Sequence, residues 1–290
     1  MKTKVLYSGN ENVDSLRSIV EIVSSIPEFS ILVQAIIKAD LVNAINNPTG
    51  LTVFAPTNDA FDALFSNLKV SGLNDLSKEA LTPILLYHVL GVKVFSSAIE
   101  TGYVYSLSPG LKTKTLAIYL DTVGGVTINK STEVIQADIL ASNGVIHAID
   151  RVLIPNTIVD IASNNDNFTT LVTALVKADL VNTLQGAGPF TVFAPTNDAF
   201  KALFASLGVS GIDALNKEQL TPILLYHVVS GNVLSTDLKS GEVTTLNTAK
   251  INVKIGSQVT INTTSTVTLA DIQGTNGVIH VIDKVLLPSS

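Results

Sequence analysis

The 290-residue chain has room for two ordinary domains, and with 46% hydrophobic against 14% charged residues it is too apolar to be disordered. Its net charge of −6 is spread evenly, with 11 Lys+Arg against 14 Asp+Glu in residues 1–155 and 7 against 10 in residues 156–290, so neither half carries the dense cationic face that nucleic acid or an anionic membrane requires. Cysteine is absent, which excludes disulfides, thiolate catalysis and Cys-type zinc sites, and no apolar run approaches the roughly 20 residues of a transmembrane helix.

The opening MKTKVLYSGNEN has lysines but no apolar h-region, so either the protein is cytosolic or an export signal is expected upstream of Met1, and composition does not choose between the two. Val20, Val23, Phe29, Leu32, Val33, Ile36 and Ile37 recur at helical spacing, and Pro27 divides them into two short helices. Thr52–Ala55 reads as a buried strand ended by Pro56. Thr57 or Asn58 caps the next helix, which runs to Leu68 with Asp59 in its first turn. Ser77 or its neighbour starts another, with Leu81, Ile84, Leu85, His88 and Val89 on one stripe. That stripe places His88 inward and predicts Tyr87, about 100° round the helix, to be the more exposed of the pair. Period-two alternation then predicts strands at 103–107, 115–120, 125–129, 132–139 and 145–153, with turns at Gly124-Gly125 and Asn143-Gly144. Helices first and strands later predict an α+β fold with a mainly antiparallel sheet or sandwich.

The same series then repeats. TVFAPTNDAF at 52–61 returns unchanged at 191–200, and LTPILLYHV at 81–89 returns at 220–228. NGVIHAID at 143–150 returns as NGVIHVID at 276–283, six residues closer, so copy two has lost six residues after Leu107, near the turn-rich SPGLKTK. Each copy is far longer than a solenoid unit, so the expectation is two complete domains, 15–155 and 156–288.

No catalytic motif emerges. HExxH, GxSxG and the phosphate-cradling glycine loops are missing, and NNDN at 164–167 lacks EF-hand spacing. The four histidines pair through the repeat, His88 with His227 and His147 with His280, so none marks one copy as a catalyst. All four lie on apolar stripes, where a histidine is expected to be a hydrogen-bonded core residue, and no metal ligand set is expected. Asp150 and Asp283, with Asp59 and Asp198, are expected to hold backbone or turn groups. The sequons at Asn129, Asn167 and Asn262 have meaning only in a eukaryotic secretory host.

TVFAPTNDAF, LLYHV and NGVIH-x-ID, in this order and present twice, resemble the signature blocks of fasciclin domains. The resemblance implies two wedge-shaped β-sandwiches, each with a helical layer. It implies a non-enzymatic, extracellular or surface-attached adhesion protein without cofactors. Its partners would be matrix proteins, surface proteins, glycans or, weakly, itself, because linked modules gain avidity. The partner-binding positions it implies are Tyr87-His88 and Asp138-Ile139 in copy one, and Tyr226-His227 and Asp271-Ile272 in copy two. An alternative it implies is a carrier of a carotenoid-like apolar molecule between the two signature blocks.

Overall fold

The computed structural model describes residues 17–46 and 48–288. The chain divides into two compact units. One takes the chain up to Pro109 together with Ile118–Pro155, and the other takes Gly110–Ala117 together with the chain from Asn156 on.

Copy one begins with three short helices, α1 (Ile19–Ser24), α2 (Ser30–Lys38) and α3 (Val42–Asn46). Pro27 opens a 3₁₀ turn, Pro27–Phe29, between the first two. Strand β1 (Leu51–Pro56) is buried throughout and leads into α4 (Asn58–Leu68). The Thr57 side chain accepts the Ala60 N–H and caps this helix. Helix α5 (Lys78–Tyr87), capped by Ser77, follows. Six strands complete the copy: β2 (Val89–Leu90), β3 (Gly102–Pro109), β4 (Thr115–Asp121), β5 (Thr127–Ile128), β6 (Thr132–Ala141) and β7 (Gly144–Ile149). They close with β1 into a seven-stranded barrel.

Copy two repeats the order with α6 (Ile158–Ser163), α7 (Thr169–Lys177), α8 (Val181–Gln185), β8 (Phe190–Pro195), α9 (Asn197–Leu207) and α10 (Lys217–Tyr226). Then come β9 (Val228–Ser230), β10 (Gly241–Thr244), β11 (Lys250–Ile255), β12 (Val259–Ile261), β13 (Ser265–Gly274) and β14 (Gly277–Ile282). Here the ladder runs β10-β11-β12-β13-β14-β8-β9, and β9 and β10 are not ladder neighbours among the described residues. Both copies are α+β, with sheets that are antiparallel except at one place.

That place is the pairing of the first strand of each copy with its last. β1 runs parallel to β7 from Leu51↔Gly144 to Pro56↔Ile149, and β8 runs parallel to β14 in the same register. All six residues of β7 and all six of β14 are buried, as strands of a parallel pair covered on both faces must be. The strands start so close together that a Cβ at Gly144 would lie 2.2 Å from the Leu51 carbonyl oxygen, and one at Gly277 would lie 2.3 Å from that of Phe190. Glycine is required there by space.

The neighbouring Asn143 is buried and ties three segments together. Its Oδ1 accepts the Ile19 N–H at 2.9 Å, starting α1, and its Nδ2 donates to the Ile45 carbonyl at 2.7 Å, ending α3. Its carbonyl accepts the Gly50 and Leu51 N–H groups. Asn276 repeats this with Ile158, Leu184 and Phe190. The Asn-Gly pair is thus more than a turn signal, because its side chain docks the helical layer onto the sheet.

Replacing Asn143 by Ala strips a buried N–H and a buried carbonyl of their partners, and lost pairing of this kind costs about 2–4 kcal/mol. Urea denaturation should show a correspondingly lower midpoint for Asn143→Ala, while Ala in place of the exposed Asn167 should leave it unmoved.

Candidate functional site

The positions singled out by the sequence lie within and beside the buried parallel pair. Helix α5 ends at Tyr87, and His88 is its C-cap residue, so the chain turns into β2 at that point. The helical stripe therefore stops one residue too early to predict what Tyr87 does. Against the expectation of exposure, Tyr87 is fully buried and Tyr226 is 3% exposed. The Tyr226 hydroxyl donates to the Lys250 carbonyl at 2.8 Å and accepts from Asn262 Nδ2 at 2.9 Å. In copy one Asn129 Nδ2 donates to the Tyr87 hydroxyl at 3.2 Å. Each tyrosine thus fastens the end of a helix to the barrel wall.

Asn129 and Lys130, like Asn262 and Thr263, hold two successive positive φ angles in the turn before β6 or β13. Asparagine is the non-glycine residue that tolerates this best. The Asn129 and Asn262 side chains also accept the Tyr119 and Asn252 N–H groups. Of the three sequon asparagines only Asn167 is exposed.

His88 is 2% exposed. The Leu153 N–H donates to its Nε2 at 2.8 Å, so the ring proton resides on Nδ1 and is donated to the Ile84 carbonyl at 2.8 Å. His227 does the same between Leu286 and Ile223. Burial pulls both imidazoles down to about 4, against the opposing pull of the Ile84 and Ile223 hydrogen bonds. Each ring stitches the segment leaving the last strand to the end of a helix.

His147 and His280, in β7 and β14, are fully buried and take the opposite tautomer. The Asp138 N–H donates to His147 Nδ1 at 3.2 Å, leaving Nε2–H to donate to the Val94 carbonyl at 2.9 Å. His280 is held by Asp271 and Val233 in the same way. Desolvation lowers both pKa values.

Asp138 and Asp271 have φ of 60° and 64° and sit where the register of β6 on β7, and of β13 on β14, slips. Such a bulge re-aims the side chain. The Asp138 carboxylate accepts the N–H of Ser96 at 2.8 Å and also its hydroxyl, and Asp271 holds Ser235 at 2.7 Å through both groups. Burial pushes the Asp271 carboxyl up, but the Ser235 hydrogen bonds, with His280 and Lys114 adding to them, leave it below its usual value. Serine, aspartate and histidine therefore meet in each copy without forming a nucleophilic triad, since each serine hydroxyl donates to carboxylate and the imidazole receives a backbone N–H. Asp150 and Asp283 accept the Glu133 and Thr266 N–H groups, the backbone role expected of them.

Of the eight positions implied for partner binding, Asp138 alone is half-buried, while Tyr87, His88, Ile139, Tyr226, His227, Asp271 and Ile272 are buried. The structure brings each Asp-Ile pair next to the strand histidine and leaves each Tyr-His pair at a helix end. No group of three His, Asp or Glu placed to hold a metal occurs among the described residues. No helix among them is long and apolar enough to cross a membrane. Between the two signature blocks of copy two, beneath the helices, the cavity lined by Val192, Ala194, His227 and Ile279 measures about 20 Å³, which is room for about one water.

Comparison with known proteins places these features in a family. The fasciclin domain family model matches residues 27–155 and 166–288. The chain is 49% identical over 133 residues to Protein sll1483 of Synechocystis sp., covering 46% of this chain and 73% of the relative. It is 32% identical over 253 residues to human periostin, covering 85% of this chain and 29% of the relative, so it spans under a third of that protein. To the fasciclin-like arabinogalactan protein CTB11 of Cercospora beticola it is 27% identical over 295 residues, covering 94% of this chain and 76% of the relative. In fold it resembles the FAS1 domain pair of the insect cell adhesion molecule fasciclin I, with a TM-score of 0.54, 20% identity and coverage of 90% of this chain and 97% of that one.

The histidines make stability depend on pH. A folded-state pKa of about 4 lies below the unfolded value near 6.5, so the stabilisation is complete above pH 6.5 and is lost as pH falls toward 4. The His88 and His227 rings are each worth about 3 kcal/mol across that window. Urea midpoints measured from pH 7 to pH 4.5 should fall steeply. His88→Asn, which does not titrate and leaves the Leu153 N–H unpaired, should start about 1–3 kcal/mol lower at pH 7 and show a shallower fall.

Proposed function

The chain belongs to the fasciclin domain family, with one domain matched at residues 27–155 and a second at 166–288, and from this we propose that it is a non-enzymatic adhesion protein of the cell surface or extracellular space. Its two wedge-shaped domains would contact matrix proteins, surface proteins or glycans, and weakly other copies of the chain, through their outer faces.

The observation that carries this reading is that all four imidazoles, the groups best suited to catalysis or metal binding, are spent inside the fold. Each has one nitrogen accepting a backbone N–H and the other donating to a backbone carbonyl. A general base needs a free, reachable nitrogen, and these rings offer none. Relatives of this chain bear names such as periostin, stabilin-2 and fasciclin-like arabinogalactan protein, and none of these is an enzyme's name. Tandem copies suit weak surface contacts, because a second linked contact adds avidity without a new interface.

In this reading Tyr87-His88, Ile139 and their copy-two counterparts Tyr226-His227 and Ile272 act from beneath the surface. They hold the loops and bulges from which the half-buried Asp138 reaches the surface in copy one, while Asp271 stays buried at the corresponding place in copy two. A partner reads the relief those residues maintain.

The chain coated at high density on beads should retain particles bearing matrix protein, surface protein or polysaccharide above a heat-denatured control. Retention no greater than the control on all three coatings would refute adhesion. So would catalytic turnover by the chain that disappears in a folded His88→Asn variant.

A further inference from the structure

We propose that copy two holds a compact, neutral, apolar small molecule in a cavity at which copy one carries larger side chains at two wall positions. The cavity has a volume of about 230 Å³ and lies against β8, β9, β10 and β11. Its walls include Phe193, Val229, Val233, Leu238, Val243 and Val253.

The repeat explains why the space exists. Counting by the 139-residue offset, Leu90 of copy one corresponds to Val229 and Tyr103 to Glu242. Beyond the shortened hairpin the offset is 133, which the ladder confirms, since Leu120 faces Ile128 as Val253 faces Ile261. Leu120 of copy one therefore corresponds to Val253, and Tyr119 to Asn252. Two leucines become valines, and each exchange withdraws a methylene from the wall. A third change lies on the exposed face of the same strands. Tyr103 stacks on Tyr119 across β3 and β4 with ring centroids 5.0 Å apart. At the same positions copy two has the facing pair Glu242 and Asn252. Glu242 turns to the Lys250 ammonium at 2.7 Å, and copy two has no aromatic pair on these strands. The nearby seam is also looser. Copy one pairs Leu90 with Ser106 across β2 and β3, whereas in copy two the Leu246 N–H reaches the Val228 carbonyl at 2.8 Å without a β9–β10 ladder.

The chemistry of the walls selects the ligand. Two hydroxyls line the cavity: Thr191 is saturated, donating to the Gly231 carbonyl at 2.6 Å and accepting the Val233 N–H at 2.9 Å, and Ser240 Oγ accepts the Ile255 N–H at 3.0 Å. The charged lining residues Asp237, Lys239 and Glu242 are exposed, and Asp237 and Glu242 are already paired with Lys112 and Lys250, so a charged or hydroxylated group set among the buried Phe193, Val229, Leu238 and Val253 would be stranded at the cost of its hydration. A cavity of about 150 Å³ lined by aliphatic and aromatic groups accepts benzene. The larger space here suits a molecule of roughly two fused rings or a monoterpene, by the same comparison. A long polyene does not fit.

Naphthalene is a suitable probe, titrated into the full chain and followed by its own fluorescence and by methyl NMR. The expected result is saturable one-site binding that shifts the methyls of Val229, Val233, Leu238, Val243 and Val253. The Val229→Leu/Val253→Leu double variant, which restores the copy-one side chains, should weaken binding at least tenfold while its melting temperature stays level or rises. No saturable binding up to the solubility of naphthalene would overturn the proposal. So would unchanged affinity in the double variant, or methyl shifts confined to other parts of the chain. If the double variant melts lower, Leu90→Val/Leu120→Val in copy one decides. The proposal requires a second naphthalene site there, and its absence in a folded protein counts against it.

Discussion

The fold rests on a parallel contact between the first and last strands of each copy. Two parallel strands cannot be joined by a hairpin, so the chain must travel through helices and the rest of the barrel before it can return. That return sets the two signature blocks side by side. Val53 lies opposite Ile146 and Phe54 opposite His147, with no solvent on either face. The contact also demands glycine where the strands begin, because the Leu51 carbonyl occupies the space any Cβ at position 144 would need.

Burying such a pair leaves backbone donors and acceptors at its ends that water cannot reach, and a few side chains supply them. Asn143 does so at one end. At the other the His88 carbonyl accepts the Phe54 N–H, while its ring accepts the Leu153 N–H and donates to Ile84. Neutral imidazole suits this work because it carries one donor and one acceptor on a rigid frame. The strand histidine uses the same property with the proton on the other nitrogen, receiving the bulged Asp138 N–H and reaching back to Val94. Protonation would convert each acceptor into a donor facing another donor. The burial that lowers these pKa values and the hydrogen bonds that need the neutral form therefore favour the same state.

Much of this was legible in the sequence wherever local chemistry decides. The division into α1 and α2 follows from Pro27, the start of α4 from Thr57, and the strand alternation from period-two patterning. The inward histidines follow from the apolar stripes on which they lie. What escaped were features set by distant parts of the chain. Tyr87 looked exposed on a helical wheel, yet the helix ends under it and its hydroxyl meets Asn129 from across the barrel. Asn129-Lys130 looked like a chance sequon, whereas it is a turn of two left-handed residues. Asp138 carries no local sign of a bulge, because its positive φ is fixed by the slipped register of β6 on β7 and by Ser96, which lies far back in the chain.

The two copies agree and differ in separate places, and the separation bears on function. Thr57 and Thr196, Asn143 and Asn276, and the four histidines with their partners superpose bond for bond, since removing any one strands a buried polar group. Leu90, Tyr103, Tyr119 and Leu120 change to Val229, Glu242, Asn252 and Val253 without breaking any of those bonds. Apolar packing tolerates the loss of a methylene for about 1 kcal/mol, whereas a stranded buried donor costs more. Divergence is therefore channelled to the barrel wall and the hairpin tips, where it alters surface relief and cavity shape. One chain in this way keeps a single scaffold twice with two different outer surfaces upon it.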